Sequence, residues 1–395
     1  DIFAENYTVS SSVTNVQISS VSGSTKSGDS ADDTHQFSGS LFISGSRISF
    51  DDGKSNVALG STAGDAITTG TGGVYIGTEA GTAVTTATNN VAIGSNSLKT
   101  ITVGSNNIAI GRNAGVDTQG DSNVFVGRGS GYYATASYNT FVGNRAANGV
   151  SGGSGGIYNT ALGFEALERF RNGSYNTALG TDTGEYIADG SYITLVGAYA
   201  GRYATGSYNT FVGYEAGKGG TTSAPFSSGQ NNTAVGYQAL TAFTTGDENV
   251  TLGYQAGSNM TTGDRNIAIG YQAKAGTVGY DNIVLGKGAG AGFSSGYKNI
   301  VMGNQAAAGH NGVQNVVIGH QANAGGSTSV DNAIIIGYQA GYNINSADAD
   351  GTVVIGYKAG ISLTSGAGNI AIGYQALLTH TTGARNIAIG YGAMD

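Results

Sequence analysis

The sequence predicts an all-β fold, a parallel β-solenoid (β-roll) of about 20 coils with repeats of roughly 17 residues. Composition is the first observation, because the chain of 395 residues has 69 Gly and a single Pro. Gly disfavours long helices, since each one costs about 1 kcal/mol relative to Ala inside a helix. The second observation is a pattern that recurs 20 times: Asn, a β-branched residue, a small or apolar residue and an aliphatic residue precede an anchor Gly. Fifteen of the 19 spacings between anchor glycines are 16 or 17 residues.

Each copy of the pattern predicts one strand of about five residues. The position directly before the anchor Gly holds Leu, Ile, Val or Met, and the third position before it holds Val, Ile or Thr. These two positions share one strand face, while the second and fourth positions share the other. The second face carries mainly Ala, Phe and Val beside the Asn column. Both faces are apolar enough that we expect both to be buried.

The anchor glycines are expected to form the corners of the coils, because Gly readily adopts the positive φ that such corners need. The corner glycines singled out are Gly60, Gly94, Gly111, Gly180, Gly236, Gly253, Gly270, Gly303, Gly373 and Gly390. The Asn column is expected to form a ladder in which side-chain amides hydrogen-bond along the stack. Its clearest positions are Asn56, Asn90, Asn107, Asn176, Asn232, Asn266, Asn369 and Asn386.

The small size of one coil predicts self-association. One strand face can fill the coil interior, and we expect the face with Ala, Phe and Val to remain exposed in a single chain. Over 20 coils this patch would exceed the few hundred Å² that soluble monomers tolerate. Three parallel copies around an axis would bury one such patch per chain. The sequence therefore predicts a homotrimer.

Residues 1–50 lack the repeat and are predicted to form an N-terminal β stem or attachment segment. The solenoid array is placed at 51–395. Wider spacings between anchor glycines predict loops that bulge outward at 149–156, 219–230 and 343–350. Candidate surface contacts in these loops are Phe226, Asp348 and Asp350.

Tyrosines form two more columns, one before the ladder Asn in the first half and one after the anchor Gly in the second half. Each column is expected to stack along the axis with rings about one coil apart. One interpretation is structural, because offset aromatic pairs contribute roughly 0.5–1.5 kcal/mol each. The other is a sugar-stacking or adhesion strip, with Tyr254, Tyr271 and Tyr374 as candidate contacts.

Charge and side-chain chemistry exclude several function classes. The net charge is −8, and 17 scattered cations do not supply the basic patch that nucleic acid requires. No apolar run approaches the roughly 18 residues of a membrane span, so no membrane insertion is expected. The closest approach to a metal site is the group Asp29, Asp32, Asp33 and His35, which a solvated turn explains better. We expect no cofactor and no metal.

Enzymatic activity is not expected either. Stacked coils could bring Glu165 near Glu168 or Glu185, as the paired carboxylates of a glycosidase would be. Nothing else in the sequence marks a cleft, and no nucleophile with a base and an orienting group is visible.

The repeat itself resembles two known groups of proteins. The pattern Asn, Val/Ile/Thr, Ala, Ile/Leu, Gly resembles the head repeats of trimeric autotransporter adhesins, and the longer form at 232–239 is similar to arrays in phage tail-fibre and virion-fibre proteins. The segment 22–49 is similar to the stem that precedes such arrays, which implies that residues 1–50 contact other virion or filament subunits. The resemblance implies a left-handed roll and an extracellular or virion location. The expected function is a trimeric phage tail or virion fibre shaft that presents recognition surfaces to a cell-surface glycan or protein receptor; the alternative is a bacterial adhesin or extracellular filament subunit.

Overall fold

The computed structural model describes residues 53–222, 226–326 and 329–395, and in them the chain forms one parallel β-solenoid. Twenty strands of three residues each recur at spacings near 17 residues, which confirms the predicted fold class. The predicted stem at 1–50 and its proposed contacts lie outside the described residues. The strands are β1 (Val57–Leu59), β2 (Val74–Ile76), β3 (Val91–Ile93), β4 (Ile108–Ile110), β5 (Val124–Val126), β6 (Thr140–Val142), β7 (Thr160–Leu162), β8 (Thr177–Leu179), β9 (Thr194–Val196), β10 (Thr210–Val212), β11 (Thr233–Val235), β12 (Val250–Leu252), β13 (Ile267–Ile269), β14 (Ile283–Leu285), β15 (Ile300–Met302), β16 (Val316–Ile318), β17 (Ile334–Ile336), β18 (Val353–Ile355), β19 (Ile370–Ile372) and β20 (Ile387–Ile389).

Each strand pairs in parallel, and in register, with the next strand along the chain, from β1–β2 to β19–β20. Backbone hydrogen bonds also join the turns of successive coils, for example from the Gln272 amide to the Tyr254 carbonyl at 2.9 Å. The described residues contain one single-turn 3₁₀ helix, Ala347–Ala349, and no helix long and apolar enough to cross a membrane.

The strand faces are arranged opposite to the sequence-based expectation. The central residue of every strand from β2 to β20 is buried, while the first and third residues are half-buried or exposed. The face with Ala, Phe and Val therefore fills the interior, and the column of Val, Ile, Thr, Leu and Met faces outward. The expectations that both faces are buried in the coil and that the Ala, Phe and Val face is the exposed one are wrong.

The Asn ladder explains this orientation. Asn266 lies in the interior and donates from Nδ2 to the Gly279 carbonyl at 2.8 Å, while its Oδ1 accepts the backbone N–H of Asn282 at 3.1 Å. These backbone groups lie inside the coil, so the Asn side must point inward. The central strand residue shares that side and is buried with it.

Interior packing brings central strand residues into contact with large side chains that lie beyond the strand. Phe141 on β6 meets Phe170 edge-on with ring centroids 5.8 Å apart, and Phe211 on β10 meets Phe243 at 5.5 Å. Phe170 and Phe243 lie seven residues after an anchor Gly, beyond the strand. The apolar core is therefore one continuous cluster from Ala63 to Ala388, and besides the ladder it includes single buried polar residues such as Thr183 and Thr251.

The anchor glycines lie at corners of the coil, where the backbone of one coil closely approaches the backbone of the next coil. Gly236 has φ +133°, and a Cβ there would stand 2.4 Å from the carbonyl oxygen of Gly253. Only Gly fits, since an L side chain would be strained by φ and would collide with the next backbone. Other residues in each coil are also left-handed, such as Tyr175 (φ 60°) before a ladder Asn.

Candidate functional site

The turns that follow β5 to β10 depart from the repeat on one side of the coil. Counting from the anchor Gly, positions two, five and six of these turns carry mostly charged and aromatic side chains, whereas the turns after β13 to β16 carry only Ala and Gly at positions five and six. The side chains concerned are Tyr132, Tyr133, Arg145, Asn148, Glu165, Glu168, Arg169, Asp182, Glu185, Tyr186, Tyr199, Arg202, Tyr203, Glu215 and Lys218. We call this set the lateral cluster.

A cleft of about 510 Å³ opens at one end of the lateral cluster, where the turns after β5, β6 and β7 meet. Its walls are Tyr132, Tyr133, Arg145, Asn148, Gly149, Val150, Glu168 and Arg169. The inserted loop at 149–156 contributes two of these residues, because Gly149 and Val150 begin it. The sequence-based statement that nothing marks a cleft near Glu165 and Glu168 is therefore wrong.

Two arginines organise the carboxylates of the cluster. Arg145 contacts Glu165 through Nη1 at 2.9 Å and Glu168 through Nη2. The carboxylate of Glu168 is nearly buried, while the Arg145 side chain is 48% exposed. Because two carboxylates hold one guanidinium, Arg145 stands in a fixed position at the cleft wall.

The second arginine, Arg202, lies three coils further along the stack. Arg202 donates from Nε to Oε2 of Glu185 at 2.6 Å, while its Nη2 lies 3.8 Å from Oδ2 of Asp182. The other oxygen of Asp182 is buried without a hydrogen-bond partner. Burial raises the pKa of Asp182, and Arg202 only partly opposes the effect. Burial likewise raises the pKa of Glu165, with the neighbouring Glu168 adding to it.

Aromatic rings continue the lateral cluster beyond the cleft. Phe226 is half-buried, with its ring centroid 4.7 Å from that of Tyr186 and 6.1 Å from that of Tyr203. The guanidinium of Arg169 lies over the Tyr186 ring at 4.8 Å. The structure thus packs the predicted surface residue Phe226 against the coil wall, where it extends an aromatic surface.

The other sequence-predicted surface residues lie elsewhere. Tyr254 and Tyr271 stack at 5.0 Å with rings 7° from parallel, and Tyr374 stacks between Tyr357 and Tyr391 further along the same column. All three predicted tyrosines are exposed, so the predicted axial stacking is confirmed. Asp348 is exposed at the start of the 3₁₀ helix, and Asp350 accepts the backbone N–H of Asp331 at 2.8 Å. The structure does not bring these five predicted residues to the lateral cluster.

Metal binding has no support in the described part of the chain, where no three His, Cys, Asp or Glu side chains converge as ligands would. The group Asp29, Asp32, Asp33 and His35 lies outside that part.

No protein-family model matches the sequence, and no curated protein is significantly similar to it.

Proposed function

We propose that the chain is the structural shaft of an extracellular fibre, built from three parallel copies, of the kind that phage tails and virions use to present host-recognition surfaces. One observation carries this proposal: the outward strand face is a continuous apolar strip. The strip consists of the first and third residues of β1 to β20, with Thr at the first position of six strands. Val250 and Leu252 on β12 are typical, with 38% and 46% of their surface exposed.

The dimensions of the strip suit a protein interface. Twenty strands at about 4.8 Å and three residues at about 3.3 Å give a face of roughly 95 Å by 10 Å, or about 950 Å². A standard interface buries about 800 Å² on each partner. A second copy of this chain is the occupant that matches the strip along its whole length, because only another solenoid repeats with the same axial spacing.

Two columns of side chains favour three copies over two. The first strand residues form one column and the third residues form the other. A cyclic arrangement lets each chain present one column to each of two neighbours, and this head-to-tail contact closes with a small number of copies. The lateral cluster lies in the turns, away from both columns, so assembly would leave it accessible.

The first test is the solution mass of the full chain, measured by light scattering during size exclusion. We expect about three times 39.5 kDa. Val250→Glu with Leu252→Glu should reduce the mass to that of one chain, because paired charges would be buried without partners. Ser258→Glu with Thr262→Glu adds the same charge to the turn of the same coil and should leave the trimer intact.

A wild-type mass of one chain would end the trimer proposal, and equal behaviour of the two double variants would mean that the strip is not the interface. Circular dichroism verifies that each variant keeps its β content.

The biological setting needs a separate experiment. Immunogold electron microscopy on the producing culture, with antibody against the array, should label fibres on tailed particles. Gold on cell surfaces or on free filaments would overturn the virion setting in favour of a bacterial adhesin or extracellular filament.

A further inference from the structure

We propose that the lateral cleft binds a neutral, hydroxyl-rich oligosaccharide, with the rings of Tyr132 and Tyr133 against the sugar faces and with Arg145, Asn148 and Glu168 at the sugar hydroxyls. This ligand assignment names what the proposed fibre would adhere to. It rests on the proposed function only in that a trimeric fibre would present several clefts at once. The cleft lies where the turns depart from the repeat.

The size of the cleft fits a small ligand. Its volume of about 510 Å³ lies within the ~300–1,000 Å³ typical of small-molecule sites. Such sites are usually lined by aliphatic and aromatic side chains with a few polar groups. Here Tyr132, Tyr133 and Val150 supply the apolar part of the wall, and charged or amide side chains supply the rest. This mixture favours a ligand with both an apolar face and polar groups over a wholly apolar ligand such as a lipid.

The backbone of the cleft wall offers nothing to a peptide strand. The Tyr133 amide donates to the Asn148 carbonyl at 2.9 Å, and the Gly149 amide donates to the Glu168 carbonyl at 2.9 Å. Strand addition needs unpaired backbone groups at an edge, and these groups are already paired between coils. Recognition must therefore come from side chains.

The side chains place hydrogen-bond donors and an acceptor around two phenol rings. Arg145 and Glu168 are held together as an ion pair, which fixes one donor group and one acceptor group. The side-chain amide of Asn148 and the Arg169 guanidinium make no hydrogen bond or ion pair to other residues that the structure describes. Both groups therefore remain available to hydrogen-bond a ligand. Tyr132 and Tyr133 lie half-buried with ring centroids 4.5 Å apart.

A pyranose matches this set because it has an apolar C–H face and a rim of hydroxyls that both donate and accept. Nucleic acid does not match, since its phosphates would meet Glu165 and Glu168 on a chain of net charge −8. The local charge also favours a neutral sugar. In and beside the cleft, Glu165 and Glu168 balance the two arginines at positions 145 and 169.

Further aromatic residues lie in line with the cleft along the solenoid axis. Tyr186 and Tyr203 occupy the same turn position as Tyr133, three and four coils further along, and Phe226 packs on both. A linear oligosaccharide that runs parallel to the axis would reach from the cleft toward these rings. In a trimer, three such surfaces would add their weak contacts through avidity.

The test uses the fluorescently labelled full chain on a microarray of linear hexasaccharides. The panel contains neutral glucose, galactose, mannose and N-acetylglucosamine hexamers, with glucuronate-containing hexamers as the charged arm. We expect binding to at least one neutral hexamer. Tyr132→Ala with Tyr133→Ala should weaken this binding at least tenfold. Asn148→Ala should do the same. Because it removes only one amide group, it serves as the test variant if the double variant does not fold.

The matched control is Tyr280→Ala with Tyr297→Ala, which removes two half-buried, stacked tyrosines in the coils of β14 and β15, far along the stack from the cleft, and should change binding less than twofold. Equal loss in both double variants, binding of the glucuronate arm alone, or no binding by any neutral hexamer would overturn the saccharide assignment. The native mass of each sample separates the two proposals: a trimer without binding refutes the cleft, and binding by a single chain refutes the trimer.

Discussion

The close packing of anchor glycines gives a prediction that separates backbone strain from collision between coils. Gly373 and Gly390 have nearly the same backbone conformation, with φ +135° and +129°. A Cβ on Gly373 would lie 2.3 Å from the Gly390 carbonyl oxygen, whereas a Cβ on Gly390 would have nothing within 4 Å in this chain. The two glycines differ in the neighbour and hardly at all in φ.

The two substitutions to Ala should therefore differ by the collision alone. Both variants carry the strain of a glycine-only conformation, about 1–3 kcal/mol. Gly373→Ala adds overpacking of roughly 1–3 kcal/mol, because the neighbouring atom is a backbone carbonyl oxygen that cannot rotate away. That difference corresponds to a factor of about 5 to 150 in an opening equilibrium.

Hydrogen exchange measured by mass spectrometry reports this equilibrium locally. In the peptide that contains β19 (Ile370–Ile372), protection against exchange should fall in both variants. The fall in Gly373→Ala should exceed the fall in Gly390→Ala by that factor of about 5 to 150. Equal losses in the two variants would show that φ strain alone excludes side chains. Unchanged protection in Gly373→Ala would refute the close contact between coils.

Two further predictions concern buried polar groups. Asn266→Ala should destabilise the surrounding coils by about 1–3 kcal/mol, because the Gly279 carbonyl and the Asn282 amide lose their partner; unchanged exchange at β13 and β14 would contradict this. Asp182→Asn should raise the unfolding temperature at pH 7. The raised pKa means that the ionised carboxylate weakens folding above its folded pKa, and that this cost disappears below the unfolded value of 3.8. A thermal series from pH 3 to 8 tests the sign, and a lower unfolding temperature at pH 7 would show that pairing with Arg202 dominates.

The regular part of the fold was predictable because the repeat averages out local exceptions. Twenty copies define the strand, the corner Gly and the ladder Asn, and each column has one physical task. The inside-out assignment of the strand faces failed for a different reason. Apolarity alone favoured burying Val, Ile and Leu, but the amides of residues such as Asn266 need backbone partners inside the coil, and their face follows them inward.

The lateral cleft was missed because its residues follow no motif. Tyr133, Asn148 and Arg169 are separated by 15 and 21 residues, and neither separation suggests a contact until the turns are aligned on their anchor glycines. The available signal was the break in the columns five and six residues after the Gly. The Ala and Gly that fill these positions in the turns after β13 to β16 are replaced by Tyr, Arg, Glu and other polar side chains in the consecutive turns after β5 to β10.

The coil-to-coil hydrogen bonds also define how a single chain would respond to force. They run along the solenoid axis, so a pull on the two ends loads one coil boundary at a time and detaches coils in sequence. Each detached coil of about 17 residues releases roughly 55 Å of extended chain in place of a rise near 5 Å. The array would therefore extend in small steps of similar length and dissipate mechanical work at each step. The coils that remain closed would keep their surfaces intact.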